Sequence, residues 1–491
     1  MRDFNFPSRP NRRATLLACG CLFALSACAG GGQSIPTVET LTDVATLSSG
    51  KDVAGVVAQP GGTVAKSWWA IWGDPQLDCL IASEASTAPS IAVAAARMRR
   101  AAAGLDSATA DRLPIINGSG RAVGERFPDH GAYSSAYAGN WDSDGALTAN
   151  ANYALDFWGK RREARAAATA RLNTARAEAD DATLILRTAV VDAYVRLDAA
   201  YRQRDVATKG LARRQGVIDL IVTRERAGLA TGIETSQARE AMSATRDEIA
   251  RLDGEIAGRR HQIAALLGRD PAFADALARP SLRVITDPAP SSAIPANLLG
   301  ARPDVAAARA AVEAAAREIG VARAAFYPDV NLIAFTGVQS LGLGSLLRAG
   351  SIATGAGAAV SLPIFDGGRL RANLGGKAAD YDAAVAAYNG ALTEALRQVA
   401  DGVTGLATER ARQDEARAAA AHWSHILDLQ RLRERQGLSS AADRLSTETA
   451  LLLAERHAAE ADVRVAVAQI ALIRALGGAW AASPSLSGQT Q

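Results

Sequence analysis

From Gly159 to Arg226 the chain runs without a proline, and from Asp366 to Arg435 it does so again. In the first stretch Leu186, Val190, Tyr194, Leu197 and Tyr201 recur at steps of four and three, which places them on one stripe of a helix. Val385, Tyr388, Leu392, Leu396, Val399, Val403 and Leu406 form the matching stripe in the second. At the usual rise per residue each stretch makes a helix of about 100 Å. Few folds have a use for a helix of that length, and fewer have a use for two.

Each long helix is expected to follow a two-faced strand. Leu147, Ala149, Ala151, Tyr153, Leu155 and Phe157 alternate with Thr148, Asn150, Asn152, Ala154 and Asp156, a period of two that is apolar on one face and mostly polar on the other. In the second copy Ile352, Val360, Leu362 and Ile364 share one face, and Gly355, Gly357, Ala359 and Ser361 share the other. Further strands are expected at 115–126 and 330–338. Residues 127–145 and 339–350 read as connecting loops. The Ala-rich stretches 90–112 and 305–325 read as helices stopped by Pro114 and Pro328.

The pattern helix, strand, strand, long helix, helix therefore occurs twice. Gly228-Leu229 recurs as Gly437-Leu438, Leu267-Gly268 as Leu476-Gly477, and Val190 and Leu197 as Val399 and Leu406. A period of about 210 residues is a duplicated domain, not a solenoid of short repeats. Returning helices run from about Glu234 to Leu267 and, in the second copy, up to Leu476-Gly477. Five prolines between 280 and 303 mark the junction between the copies.

The start of the chain has the form of an export signal. Arg2, Arg9, Arg12 and Arg13 against Asp3 make a basic leader, an apolar run follows from Ala14 to Ala27, and Leu25-Ser26-Ala27-Cys28 resembles the bacterial lipobox. Cys28 is thus the expected lipidation site, and the covalent lipid is the only cofactor expected. Ala29 rather than Asp after the cysteine favours the outer membrane. Without residues 1–27 the formal charge falls from +3 to about zero, which gives no reason to expect nucleic acid as a partner. Of four cysteines Cys79 alone would remain with a free thiol, so no disulfide framework is expected.

The expected organisation is a lipoprotein signal peptide at 1–27, a lipid-anchored tether at 28–74 and a first repeat at 75–279. A proline-rich linker at 280–301, a second repeat at 302–480 and a tail at 481–491 complete it. Trp68, Trp69 and Trp72 at the end of the tether suit either a packed staple or a membrane-interface belt. No uninterrupted apolar run after Cys28 is long enough for a transmembrane helix. A membrane-spanning form must therefore close its strands into a barrel, because open sheet edges are not tolerated in lipid. Four strands cannot close alone, since barrels of this kind begin at about eight. Three copies would supply twelve. The fold class expected is mainly α with a membrane β-barrel: a trimeric 12-stranded barrel continued by a long periplasmic α-helical barrel.

The residues resemble the TolC-like outer-membrane efflux proteins, in particular the lipoprotein branch serving resistance-nodulation-division pumps, often called NodT-type. The resemblance rests on Trp68-Trp69 through Asp74-Pro75-Gln76-Leu77, and on Ile294-Pro295 through Arg302-Pro303-Asp304-Val305. It also rests on Ile319-Gly320-Val321-Ala322-Arg323-Ala324-Ala325-Phe326-Tyr327-Pro328 and Leu362-Pro363-Ile364-Phe365-Asp366-Gly367-Gly368-Arg369. It implies a homotrimer in outer-membrane lipid, a periplasmic adaptor (membrane fusion) protein, an inner-membrane resistance-nodulation-division pump, and passive export of drugs or other small solutes. It also implies an iris-like periplasmic gate at the two helix turns. Asp443 aligns with a family gate carboxylate and Glu234 is the nearest acid in the first repeat; the position a turn beyond Asp443, acidic in some relatives, is Ser446 here. Asp443 is equally well placed to cap a helix. Gly228, Leu229, Gly437 and Leu438 are the candidate adaptor-docking turns.

Other motifs carry little. His422 and His425 lie three apart on a helix without a third ligand, and Gly355-Ala356-Gly357 lies in a strand rather than opening a helix. No nucleophile elbow, phosphate loop or His-Glu-x-x-His is present, so an enzyme is not expected. The rival reading is a periplasmic coiled-coil structural or adaptor lipoprotein whose strands are loops and which has no pore.

Overall fold

The computed structural model describes residues 37–42, 67–130, 134–283 and 302–478. The leader, Cys28, most of the tether, most of the linker and the tail from 481 lie outside the described residues. The helices are α1 (Pro75–Thr87), α2 (Pro89–Ala110), α3 (Lys160–Arg226), α4 (Gly232–Leu266), α5 (Pro271–Ala276), α6 (Pro303–Ala324), α7 (Arg369–Arg435) and α8 (Ala441–Ala475). The strands are β1 (Ile115–Arg126), β2 (Trp141–Leu155), β3 (Asp329–Leu341) and β4 (Ile352–Ser361). The duplication holds at the level of length. α3 and α7 each have 67 residues, α4 and α8 each have 35, and α2 and α6 each have 22.

The chain divides into two compact units, and neither is a sequence repeat. Of the described residues, the first comprises 37–40, 100–130, 134–172 and 310–386, and the second 41–42, 67–99, 173–283, 302–309 and 387–478. Each takes pieces of both repeats because the long helices belong partly to one unit and partly to the other.

In the first unit the strands form one antiparallel sheet in the order β1-β2-β3-β4. Register fixes the faces, since directly paired residues point the same way. Leu147 pairs with Gly120 and Val338, Tyr153 with Leu332, and Val330 with Val360, so one face is apolar across the sheet. Asn150 pairs with Asn117 and Phe335, Thr148 with Ser119, and Ala359 with Asn331; this second face is mostly polar. Ser119 Oγ and Thr148 Oγ1 are 2.9 Å apart, and Asn150 Nδ2 donates to both at 3.1 Å.

The strand limits differ from those expected. β2 begins at Trp141, inside the stretch read as a loop, because Trp141 to Gly145 pair with Arg126 to Ala122 and the ladder overrides the turn-like composition Asp-Ser-Asp-Gly. It ends at Leu155, not Phe157. Asp156 turns instead to cap α3, its carboxylate accepting from the backbone N–H of Arg161 at 3.1 Å and Arg162 at 2.8 Å. β4 ends at Ser361 rather than Phe365, since Pro363 has no N–H for a ladder. β3 runs on to Leu341, and two short 3-10 turns connect it to β4. α7 begins at Arg369, three residues beyond Asp366, which caps it by accepting from Gly368 N and Leu370 N. Trp158 stacks on Tyr327 at 4.7 Å and donates to Pro328 O at 2.9 Å, fixing the end of β2 beside the start of β3.

In the second unit the α3 stripe is the core. Leu186, Val190, Tyr194 and Leu197 are buried with Leu77, Leu80 and Ile81 of α1, Ile256 and Ile263 of α4, Val399 and Leu406 of α7, and Val465, Leu472 and Ile473 of α8. Trp68 and Trp72 are buried in the same cluster, edge to face at 6.1 Å, so the tryptophans are a staple and not a belt. Tyr194 Oη donates to Asp74 Oδ2 and accepts from Gln76 Nε2, both at 2.8 Å. Burial pushes the Asp74 carboxyl up, but hydrogen bonds from Ser281, Tyr194 and Gln76 outweigh it and hold the group below its ordinary value. The helical stretch Pro75–Ala110 has the length and average composition to cross a membrane, but no uninterrupted apolar run of that length lies within it. It is broken at Ala88, whose backbone is extended, and Leu77, Leu80 and Ile81 are already spent on the core.

Candidate functional site

Two places carry the functional expectations: the α3–α4 and α7–α8 turns in the second unit, and the two-faced sheet in the first. The turns are built alike. Gly228 N donates to Glu225 O at 3.0 Å and Leu229 N to Arg224 O at 2.8 Å. Gly437 N donates to Glu434 O at 3.0 Å and Leu438 N to Arg433 O at 2.9 Å. This is the Schellman pattern, with each glycine in the left-handed region at φ 70°. The leucine after each glycine gains no cover: Leu229 is 69% exposed and Leu438 64%. Ile233, the second residue of α4, is also exposed.

The two candidate gate acids occupy one structural position. Thr231 is the N-cap of α4: its hydroxyl accepts from Glu234 N, and the Glu234 carboxylate accepts from Thr231 N at 2.7 Å. Ser440 is the N-cap of α8, and Asp443 returns the contact by accepting from Ser440 N at 2.9 Å. Both are capping boxes. Asp443 is therefore not the cap residue itself but its reciprocal partner, three positions in. Hydrogen bonds from the Ser440 hydroxyl and backbone, with Arg433 nearby, hold its carboxyl below the ordinary value. No hydrogen bond or ion pair joins Glu234 to Asp443 among the described residues.

Sequence reading missed the side chains that close each turn. Glu225 on α3 accepts from the Thr235 hydroxyl at 2.5 Å, and Glu434 on α7 accepts from Arg444 Nε at 2.8 Å. Arg444 also pairs with Glu448 at 2.9 Å. The signal was available, since both pairs recur at the offset that relates Gly228 to Gly437. Further along, Arg456 of α8 meets Glu248 of α4 at 3.2 Å. Among the described residues no cluster of three His, Cys, Asp or Glu side chains is placed to hold a metal ion.

The sheet contributes one apolar and one mostly polar face. Its outer strands, β1 and β4, each pair on one side only. On the polar face Arg121 forms an ion pair with Asp144, which is buried.

Solved structures that superpose on this chain include outer membrane proteins and channels. The outer membrane protein VceC of Vibrio cholerae superposes with a TM-score of 0.77 at 34% identity, covering 84% of this chain and 99% of that one. The CmeC outer membrane channel of Campylobacter jejuni, at 20% identity, shares the fold with a TM-score of 0.79 over 91% and 94% of the two chains. The fusaric acid resistance protein FusA of Burkholderia cepacia is 37% identical over 72% of this chain and 66% of its own length. The multidrug resistance outer membrane protein MdtP of Shigella flexneri is 30% identical over 96% of both. The outer membrane efflux protein profile matches residues 80–269 and 294–478. The chain belongs to the outer membrane efflux protein family.

Proposed function

We propose that the protein is the outer-membrane channel of a tripartite efflux pump, passively conducting drugs or other small solutes from periplasm to exterior. The observation that carries this reading is the open four-stranded sheet with one apolar and one polar face. A sheet of that kind cannot sit in lipid with bare edges. Three copies joined edge to edge, β4 of one beside β1 of the next, close twelve strands around the polar face and leave the apolar face to lipid. The α3–α4 and α7–α8 hairpins then extend into the periplasm as a helical tube.

In this reading Cys28 carries the lipid and anchors the chain, as in the NodT-type branch, and no other cofactor is needed. The exposed Leu229 and Leu438, held out by Gly228 and Gly437, are the surface for the periplasmic adaptor, behind which stands a resistance-nodulation-division pump. Asp443 and Glu234 are the gate acids. Three copies converging on an axis would draw cations and raise one another's pKa, against the local hydrogen bonds that lower that of Asp443. The pump, not the duct, selects most of the substrate. A channel of this kind has no chemical step, so no catalytic residue is assigned. The coiled-coil adaptor reading required the strands to be loops, and a registered sheet speaks against it.

The test is extraction from outer-membrane fractions. Oligomers that resist SDS and fall apart on heating support the shared barrel, and recovery as a detergent-free soluble monomer sinks it.

A further inference from the structure

On the polar face of the sheet one aromatic ring is out of keeping. Alternation and register put Asn117, Ser119, Arg121, Thr148, Asn150, Asn152, Asn331 and Gln339 on that face. Phe335 stands among them, directly opposite Asn150 on β2 and Gly355 on β4. It is the single aromatic ring on that face among the described strand residues; Trp141 and Tyr153 point to the other side. The ring edge reaches over Gly355, where an added Cβ would come 2.5 Å from Phe335 Cε1 and 2.8 Å from Cζ. One step along, Ile333 faces Gly357, and a Cβ at Gly357 would meet nothing within 4 Å. Phe335 and Ile333 each keep 43% of their surface exposed. Gly355 thus makes room for the ring and the space over Gly357 stays open, with Asn150 and Asn152 facing Phe335 and Ile333 from β2.

We propose that Phe335, with Ile333 and the Asn150–Asn152 amides, forms a contact site on the pore wall for planar aromatic solutes bearing hydrogen-bonding groups. The inference rests on the barrel reading above, in which the polar face lines the pore and three copies of the site ring it. A ring left exposed on a wetted wall offers apolar area that a solute gains free energy by covering. A flat solute covers it by stacking while its polar edge meets the Asn152 amide and the amide oxygen of Asn150, whose Nδ2 is held by Ser119 and Thr148. The gain per contact is small, as suits a duct that must release what it holds.

The experiment uses the full-length channel in planar bilayers. Potassium chloride conductance is recorded first, then block by benzylammonium and by cyclohexylmethylammonium, which share charge and carbon count and differ in the aromatic face. For the wild type the aromatic probe should block the longer. Phe335→Leu, which keeps apolar bulk, and Phe335→Ala should cut the ratio of the two blocking affinities about three- to tenfold, and Phe335→Trp should keep it. A conducting Phe335→Leu channel with an unchanged ratio overturns the proposal. A wild-type oligomer that conducts no potassium chloride sinks the channel reading itself, a different failure with a different signature.

Discussion

Glu84 and Arg187 show what a single buried charge costs. Arg187 Nε lies 2.5 Å from Glu84 Oε1, and its guanidinium sits 5.1 Å over the Trp69 ring. Glu84 is 2% exposed and its second oxygen has no hydrogen-bond partner. Burial pushes its carboxyl above the ordinary 4.5, and the bond and charge of Arg187 offset this only in part. A carboxyl with a raised folded pKa lends its stability below the unfolded value and loses it as the pH rises through the folded one. Thermal melts of Glu84→Gln should therefore gain on the wild type as the pH rises above the ordinary carboxyl value of 4.5. Arg187→Ala should cost about 2–3 kcal/mol at neutral pH, less than for a fully buried pair because the guanidinium is one-third exposed. Equal pH slopes for wild type and Glu84→Gln would refute the first expectation.

Asp443 belongs to the same scale, and the residue serves two readings at once. As a capping-box partner it fixes the first turn of α8. As a gate acid it would hold the channel end narrow. Asp443→Asn keeps an acceptor for Ser440 N and removes the charge, whereas Asp443→Ala removes both. A gate predicts raised conductance in both variants. A cap alone predicts lowered thermal stability in the alanine variant and wild-type conductance in each.

At the scale of elements the glycines divide into two physical kinds. Gly228 and Gly437 are needed for their backbone angle, with nothing within 4 Å of an added Cβ. Gly337 is needed for space: a Cβ there would come within 2.2 Å of Leu147 O and 2.7 Å of Thr148 Cα, both backbone atoms of the neighbouring strand. Gly228→Ala should cost about 1–2 kcal/mol of left-handed strain and leave assembly intact. Gly337→Ala must part β2 from β3, and the heat-sensitive oligomer on SDS gels should disappear. An oligomer of normal stability in Gly337→Ala would refute the close approach.

For the whole molecule the lipid anchor and the barrel make separable contributions. In the proposed assembly the strands alone hold the protein in the bilayer, and the lipid on Cys28 adds a second tether. Cys28→Ala should abolish incorporation of labelled palmitate while the oligomer still forms. Loss of both would make lipidation a condition of assembly rather than an addition to it.

The long helices, the duplication and the two-faced strands were legible in the sequence because each rests on a local period. A stripe at 3.6 or an alternation at 2 survives whatever packs against it, so Lys160–Arg226 and Arg369–Arg435 were found within a few residues. The sequence could not place strand ends, which depend on pairing: Trp141 joined the sheet through Arg126, and Phe157 left it because Asp156 caps α3. It could not choose between staple and belt for Trp68 and Trp72, because only the core they enter decides. Nor did it set Phe335 across from Asn150 and Gly355, since register joins strands far apart along the chain. Period is a property of neighbours in sequence; cap, core and wall are properties of neighbours in space, and only the tertiary structure brings those together.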